Sequence, residues 1–137
     1  MIETQRRRDT EGNVDNQLSY KVIGAAIEVH RALGGPGLLE GIYDAALCHE
    51  LSLQGLKIQS QVPVVVCYKG IHIRDPLLID ILVEDRLVVE VKATEKDHPI
   101  HQVQLLTYLR LTGLRLGLVI NFGSQHVKEG IKRVING

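Results

Sequence analysis

Two carboxylates and one lysine lie close together in an apolar part of the 137-residue chain. Asp80 lies in an apolar run over residues 77–83, and Glu90 and Lys92 lie in a second run over residues 87–93. Both runs alternate and are rich in β-branched residues, which predicts two antiparallel strands joined by a three-residue loop. A loop of that length places Asp80 directly opposite Glu90. Paired carboxylates beside an ammonium group can bind a divalent cation and activate water.

The alternation also predicts what surrounds these groups, because the two faces of the strand pair differ. The first face is entirely apolar and is expected to lie on the core. Its members are Leu77, Ile79, Ile81, Val83, Leu87, Val89, Val91 and Ala93. The second face carries Asp80, Glu90 and Lys92 among large aliphatic residues, which is typical of strands covered on both sides. Opposed carboxylates in such surroundings repel each other and lose hydration, at a cost on the order of several kcal/mol.

A bound cation would supply the compensating charge. Its oxygen ligands would come from Asp80, Glu90 and the backbone carbonyl of Val91, and Lys92 would point at a water bound to the metal. A cross-strand salt-bridge cluster on a half-exposed sheet is the alternative interpretation of the same residues.

Helical periods flank the two strands in the sequence. A first helix is predicted to begin at the capping residues Asp15 or Asn16 and to end before the Gly34–Gly37 turn. The other predicted elements are helices at residues 39–51 and 99–112, strands at residues 62–66 and 116–122, and a turn at Lys69-Gly70. This order of elements predicts an α+β or mixed α/β domain.

Length and composition indicate one ordinary domain. The chain is 45% apolar and 23% charged, which permits a single buried core and excludes wholesale disorder. Residues 1–14, which include Arg6, Arg7 and Arg8, lack an apolar period. They are predicted to form a mobile N-terminal arm, whose arginines are either simply solvated, as is usual for such a run, or in contact with nucleic acid, and residues 15–137 are predicted to form the single domain.

Several classes of protein are excluded by the pattern of residues. No run approaches the roughly 18 apolar residues of a membrane span, and the first residues lack the apolar stretch of a signal peptide, so a cytoplasmic protein without a membrane partner is expected. Cys48 and Cys67 stand apart and are predicted to be small core residues in a reducing compartment. His98 and His101 have a metal-like spacing but no acidic or cysteine partner placed with them, which argues against zinc.

Charge is unevenly distributed, although the formal net charge is zero. Residues 39–97 carry ten acidic and six basic side chains, whereas residues 98–137 carry one acidic and five basic ones. An acidic middle fits a divalent cation site, and a basic end fits contact with a phosphate backbone.

These features resemble the core of the PD-(D/E)XK nuclease superfamily. Asp80 on one strand, Glu90-Val91-Lys92 on the next and helices on either side match that core, with Ile79 in place of the proline in its name. Residues 37–43 match the G-x-x-E-x-x-Y signature of the bacterial GxxExxY proteins. Further matches are Val29-His30-Arg31, residues 104–109 and residues 120–123. The resemblance covers residues 17–135 and implies a central mixed sheet with antiparallel strands, flanked by helices.

The resemblance implies a metal-dependent nuclease that hydrolyses phosphodiester bonds of DNA, in preference to RNA, with Mg²⁺ or Mn²⁺. Asp80, Glu90 and the Val91 carbonyl would hold the metal, and Glu40 would reach it directly or through water. Lys92 would orient the attacking water and stabilise developing charge. The implied catalytic residues are Glu40, Asp80, Glu90, Lys92 and Gln104.

Substrate-binding residues are implied by the same resemblance. They are Tyr43, Tyr108, His30 and Arg31. Tyr108 shares a helix face with Gln104, similar to the Q-x-x-x-Y pattern of related nucleases, in which the tyrosine lies near phosphate. Structural alternatives stay open for Glu40 as a first-turn acid favoured by the helix dipole, for Gln104 as a satisfied buried amide and for His30 as a hydrogen-bonded core residue.

One departure from the family pattern bears on activity. Leu78 stands where an arginine often precedes the aspartate by two residues, which would weaken substrate binding or leave an inactive relative. The alternative function is therefore a catalytically silent nuclease-like domain that binds nucleic acid or protein. No separate DNA-binding module is visible, so sequence specificity would come from a homodimer, an unidentified protein partner or the N-terminal arm.

Overall fold

The computed structural model describes the backbone of residues 2–137 and the side chains of residues 12–137. Its elements are α1 (Ile2–Ala32), α2 (Glu40–Leu53), β1 (Ile58–Val64), β2 (Cys67–Tyr68), β3 (Ile71–His72), β4 (Leu77–Val83), β5 (Leu87–Lys92), α3 (Ile100–Thr112), β6 (Leu116–Asn121), a 3-10 turn (Val127–Gly130) and β7 (Ile131–Ile135). No helix within this described part is long and apolar enough to cross a membrane.

Five strands form one mixed sheet in the order β1-β4-β5-β6-β7. Strands β5 and β6 are parallel and are connected through α3, whereas the other neighbours are antiparallel. The pairs Ile81 with Val89 and Val83 with Leu87 confirm the predicted register and the three-residue loop between β4 and β5. The predicted mixed sheet flanked by helices is therefore confirmed.

Each face of the sheet is covered by its own helical layer. Helices α1 and α2 cover one face, where Val22, Leu47 and Phe122 belong to the cluster that we call the α1/α2 core. Helix α3 covers the other face, where Leu105 and Leu109 belong to the α3 core. Burial on both faces explains the continuous apolar run of β5, whereas in β4 buried residues alternate with half-buried or exposed ones.

The predicted apolar face of β4 is wrong in one respect, because it changes sides at Asp80. Ile81 and Val83 pack in the α1/α2 core, whereas Ile79 and Leu77 pack with the α3 core. The reason lies in the neighbouring strand, where Gln61 has a φ of 54° and interrupts the β1–β4 pairing. The register is the same on both sides of Gln61, so no residue is inserted, and the change of face coincides with its left-handed backbone conformation.

The capping pattern predicted that the first helix begins at Asp15 or Asn16. In the structure, α1 begins at Ile2. Arg, Gln and Glu, which are strong helix formers, are frequent in the first part of this helix, and Gly12 costs only about 1 kcal/mol. The segment predicted as a separate arm is thus continuous with α1. The side chains of Arg6, Arg7 and Arg8 lie outside the described residues, so both interpretations of them, solvation and contact with nucleic acid, stay predictions.

Asp15 attaches α1 to the sheet instead of capping the helix. Its carboxylate is buried, 2.7 Å from Arg86 Nε and 3.7 Å from Arg115 Nε. Cys67 also differs from its prediction, because it is exposed on the β2 strand, whereas Cys48 is half-buried.

Candidate active site

Asp80 and Glu90 are held against each other where β4 and β5 diverge. The Val91 N–H donates to Asp80 Oδ2 at 2.9 Å, and the Asp80 N–H donates to Glu90 Oε1 at 3.3 Å. Both residues lie just beyond the last pair of the β4–β5 ladder, Ile81 with Val89. Because the strands diverge here, these N–H groups donate to side-chain oxygens. Each carboxylate is therefore fixed by the backbone of the opposite strand.

The two carboxylates differ in exposure. Glu90 is only 2% exposed, whereas Asp80 is half-buried and reaches the surface. Burial, together with the negative charge of Asp80, raises the pKa of Glu90 to about 8. The positive charge near the pair is therefore too small to keep both carboxylates ionised at neutral pH.

These donors fit a magnesium or manganese ion. Among the side chains of residues 12–137, no group of three or more His, Cys, Asp or Glu residues is arranged to hold a metal. Mg²⁺ needs fewer protein ligands than that, because it keeps several waters and is commonly bound through one or two carboxylates. Asp80, Glu90 and the predicted Val91 carbonyl would be the residues that hold it.

Replacing Glu90 with glutamine is expected to stabilise the metal-free protein at alkaline pH. The pKa of Glu90 is raised on folding from about 4.5 to about 8, so the folded state binds the proton more tightly. Stability then falls as pH rises through that window, and Glu90→Gln removes this part of the loss. We expect the melting temperature in EDTA to rise by about 5 °C at pH 8 and to match the wild type at pH 4.5.

Thermal unfolding followed by circular dichroism would measure this difference. The matched control is Glu129→Gln, which changes an exposed carboxylate and should leave the melting temperature unchanged at both pH values. Equal melting temperatures of Glu90→Gln and the wild type at pH 8 would contradict the raised pKa of Glu90.

Lys92 and Glu40 approach the carboxylate pair from opposite elements. Lys92 is half-buried at the end of β5, where its backbone pairs with that of Asn121. Glu40 is the first residue of α2; partial burial and the charge of Asp80 raise its pKa, whereas Lys92 and the Ala93 N–H lower it. These mutual influences indicate that the structure brings Glu40, Asp80, Glu90 and Lys92 together, as the sequence predicted.

Gln104 and Tyr108 reach the site from α3. The Gln104 side-chain N–H donates to the Tyr108 hydroxyl at 2.9 Å. Burial raises the pKa of this hydroxyl, and the negative charge of Glu90 raises it further. The two predicted residues therefore form a bonded pair close to Glu90, and the Gln104 amide is a partner of the tyrosine.

The other predicted substrate-binding residues have structural partners elsewhere. The buried Tyr43 hydroxyl donates to the Gly35 carbonyl at 2.7 Å and accepts from the Leu38 N–H at 3.1 Å. His30 Nε2 lies 3.1 Å from the Ser124 carbonyl, and the exposed Arg31 pairs with Glu28. None of these described contacts reaches the carboxylate pair, so a role for Tyr43, His30 and Arg31 in substrate binding stays a prediction.

Tyr43 nevertheless contributes to the site indirectly. Its ring stacks on Phe122 with 4.8 Å between centroids, and its hydroxyl ties down the loop that leads into α2. Because Glu40 begins that helix, this anchoring sets where the acid stands. The tyrosine of the G-x-x-E-x-x-Y signature is thus explained by packing.

Two residues near Asp80 escaped the sequence analysis, although their signals differ. Asp44 lies one helical turn after Glu40, and burial followed by the charge of Asp80 raises its pKa. Its spacing of four from Glu40 could have found it. Gln61 lies 3.5 Å from Asp80 Oδ1 through its side-chain nitrogen, in a left-handed backbone conformation that no sequence pattern announces.

Asn121 supports the end of β5 directly behind Lys92. Its side-chain oxygen accepts from the N–H groups of Thr94 and Gly123, and its side-chain nitrogen donates to the Thr94 carbonyl and to Asp97. All four bonds are close to 3 Å, and Asn121 is buried. The residues that follow Lys92 are therefore fixed to the end of β6.

Comparison with known proteins adds a family to this geometry. The model of the PD-(D/E)XK nuclease superfamily matches residues 16–134. No curated protein and no solved structure matches the chain. Nucleases of this superfamily generally use divalent metal ions, in agreement with the paired carboxylates. With a match that extends over most of its length, the chain belongs to the PD-(D/E)XK nuclease superfamily.

Proposed function

We propose that this protein is a metal-dependent nuclease of the GxxExxY group that hydrolyses phosphodiester bonds, with DNA as its substrate. The observation that carries the proposal is the pair of Asp80 and Glu90. The two carboxylates are locked together by backbone N–H groups, and Glu90 is almost fully buried. Without a cation this arrangement is costly, so its presence beside a lysine favours a metal site over a salt-bridge cluster.

The metal would supply chemistry that the side chains alone lack. A bound magnesium or manganese ion polarises a phosphate and lowers the pKa of a water molecule. Asp80 and Glu90 would hold the metal ion, and Glu40 would reach the ion through a water molecule.

The remaining side chains would act on the substrate. The Lys92 ammonium would donate a hydrogen bond to the attacking water and stabilise negative charge as it develops on the phosphate. Gln104 would hold the Tyr108 hydroxyl near Glu90, where it could donate to a phosphate oxygen. The half-exposed position of Asp80 beside the buried Glu90 would leave one side of the site open to a nucleic-acid strand.

Calorimetric titration of Mg²⁺ and Mn²⁺ into the wild type and the Asp80→Asn variant tests this proposal. We expect Asp80→Asn to weaken metal binding by at least about tenfold, because one carboxylate ligand loses its charge. Both proteins would then be incubated with single-stranded and double-stranded DNA and RNA, and cleavage should disappear in the variant.

Asp85→Asn is the matched control, since Asp85 is an exposed aspartate in the β4–β5 loop that pairs with Lys57. It should bind metal and cut as the wild type does. Salt-dependent binding of nucleic acid without metal binding or cleavage would instead indicate the catalytically silent module. Preferred cleavage of RNA would contradict DNA as the substrate but would still support a nuclease.

A further inference from the structure

The β2–β3 hairpin leaves the sheet at the end where β4 begins, three residues before Asp80. Val64 of β1 pairs with Leu77 of β4, and residues 65–76 between them form the hairpin. Cys67 pairs with His72 and Tyr68 with Ile71, while Lys69 and Gly70 form the turn with φ values of 49° and 81°. Two consecutive positive φ values are typical of the tight turn that matches the twist of a hairpin.

This hairpin exposes an apolar and aromatic face. Its two strands form a separate two-stranded sheet. Tyr68, Ile71 and Ile73 are 61%, 65% and 58% exposed, and strand alternation places all three on the same face of the hairpin. A two-stranded ribbon is only marginally stable by itself in water, so large exposed side chains on it need a reason other than stability.

Positive charge accompanies the aromatic ring. The Lys69 ammonium lies 5.3 Å from the centre of the Tyr68 ring, and Arg74 at the base of the hairpin donates to the backbone carbonyl of Asp75. Within the described part of the chain, neither Lys69 nor Arg74 pairs with a carboxylate. An exposed aromatic ring between unpaired cations complements a nucleic-acid strand, because the ring stacks on a base and the cations contact phosphates.

The hairpin is also within reach of a strand bound at the carboxylates. Asp80 lies three residues into β4, which is about 10 Å from Leu77 at the usual rise, and the turn lies roughly 17 Å beyond the end of the sheet. Arg74 and Glu90 both act on the Tyr108 hydroxyl, since Glu90 raises its pKa and Arg74 lowers it. The positive charge of Arg74, at the base of the hairpin, therefore acts on a residue of the site.

We infer that the hairpin of residues 65–76 binds the nucleic-acid strand beside the site, with Tyr68 stacked on an unpaired base and Lys69 and Arg74 on phosphates. This inference rests on the proposed function and supplies a binding element where the sequence pattern predicted no separate DNA-binding module. It is favoured over a contact between two copies of the chain because Lys69 and Arg74 belong to the same hairpin as the apolar face, and neither pairs with a carboxylate of residues 12–137.

Fluorescence anisotropy with labelled single-stranded DNA and RNA, in EDTA to prevent cleavage, tests the inference. We expect Tyr68→Ala to weaken binding about tenfold and Tyr68→Phe to retain it, since stacking needs the ring and not the hydroxyl. Removing Lys69 or Arg74 should lower the slope of log affinity against log salt by about 0.7 each. Tyr20→Ala is the matched control, because Tyr20 is an 80% exposed tyrosine beside Lys21 on α1.

The outcomes separate this inference from the proposed function. Wild-type affinity in Tyr68→Ala, with cleavage still dependent on Asp80, would overturn the hairpin's role and leave the nuclease. Absence of both binding and cleavage in the wild type would overturn both. A loss of dimer in Tyr68→Ala by analytical ultracentrifugation, with unchanged affinity for nucleic acid, would show that the apolar face joins two copies and would overturn the inference.

Discussion

Replacing Lys92 with alanine is expected to reduce nucleic-acid cleavage by at least about a hundredfold while leaving the fold intact. A positioned group that stabilises charge only in the transition state contributes about that much or more. Lys92 is half-buried at the end of β5, and among the described residues it forms no ion pair with a carboxylate. Its removal should therefore cost the folded state little.

Metal binding distinguishes this effect from damage to the site. Lys92 carries the same sign of charge as the metal, so Lys92→Ala should bind Mn²⁺ as tightly as the wild type or more tightly. Single-turnover cleavage, calorimetry and thermal unfolding would be measured on the same preparation. Lys96→Ala, a change of an exposed lysine in the following loop, is the matched control and should cut normally. Full activity of Lys92→Ala would exclude a catalytic role for this lysine.

Replacing Gly123 with alanine is expected to destabilise the protein by at least about 3 kcal/mol. A Cβ atom at this position would lie 2.1 Å from the Thr94 carbonyl oxygen and 2.7 Å from its carbon and nitrogen. These are backbone atoms, and Asn121 holds Thr94 through both its N–H and its carbonyl. Neither backbone segment can move away without breaking those hydrogen bonds.

The Gly123→Ala variant should also lose activity beyond its loss of stability. Thr94 follows Lys92 by two residues, so a displaced Thr94 moves the lysine relative to the carboxylates. Urea unfolding would give the stability, and cleavage would be measured at a temperature where the variant remains folded.

The control for Gly123→Ala is Gly24→Ala, which should have the opposite sign. Gly24 lies inside α1, and a Cβ atom there would meet nothing within 4 Å. Alanine is expected to stabilise the protein there by about 1 kcal/mol, because it loses less backbone freedom in a helix. If both glycine variants shifted the urea midpoint in the same direction, the close approach at Thr94 would not be the cause.

The pairing of Asp80 with Glu90 could be predicted from the sequence because it depends on local features. Strand alternation has a period of two, and a short loop sets the register of a hairpin. The apolar runs of β4 and β5 and the three residues between them were therefore sufficient. The order of helices and strands as far as β6 was predictable for the same reason, although the start of α1 and the last strand, β7, were not.

The surroundings of that pair depend on contacts between residues far apart in the chain. The change of face at Asp80 coincides with the left-handed backbone of Gln61 on the neighbouring strand, whereas alternation alone continued the apolar face past Asp80. Tyr43 matches a signature, yet its hydroxyl is bound within the core. Periodicity and spacing determine which side chains share a face, whereas their depth and partners are decided when separate helices and strands pack together.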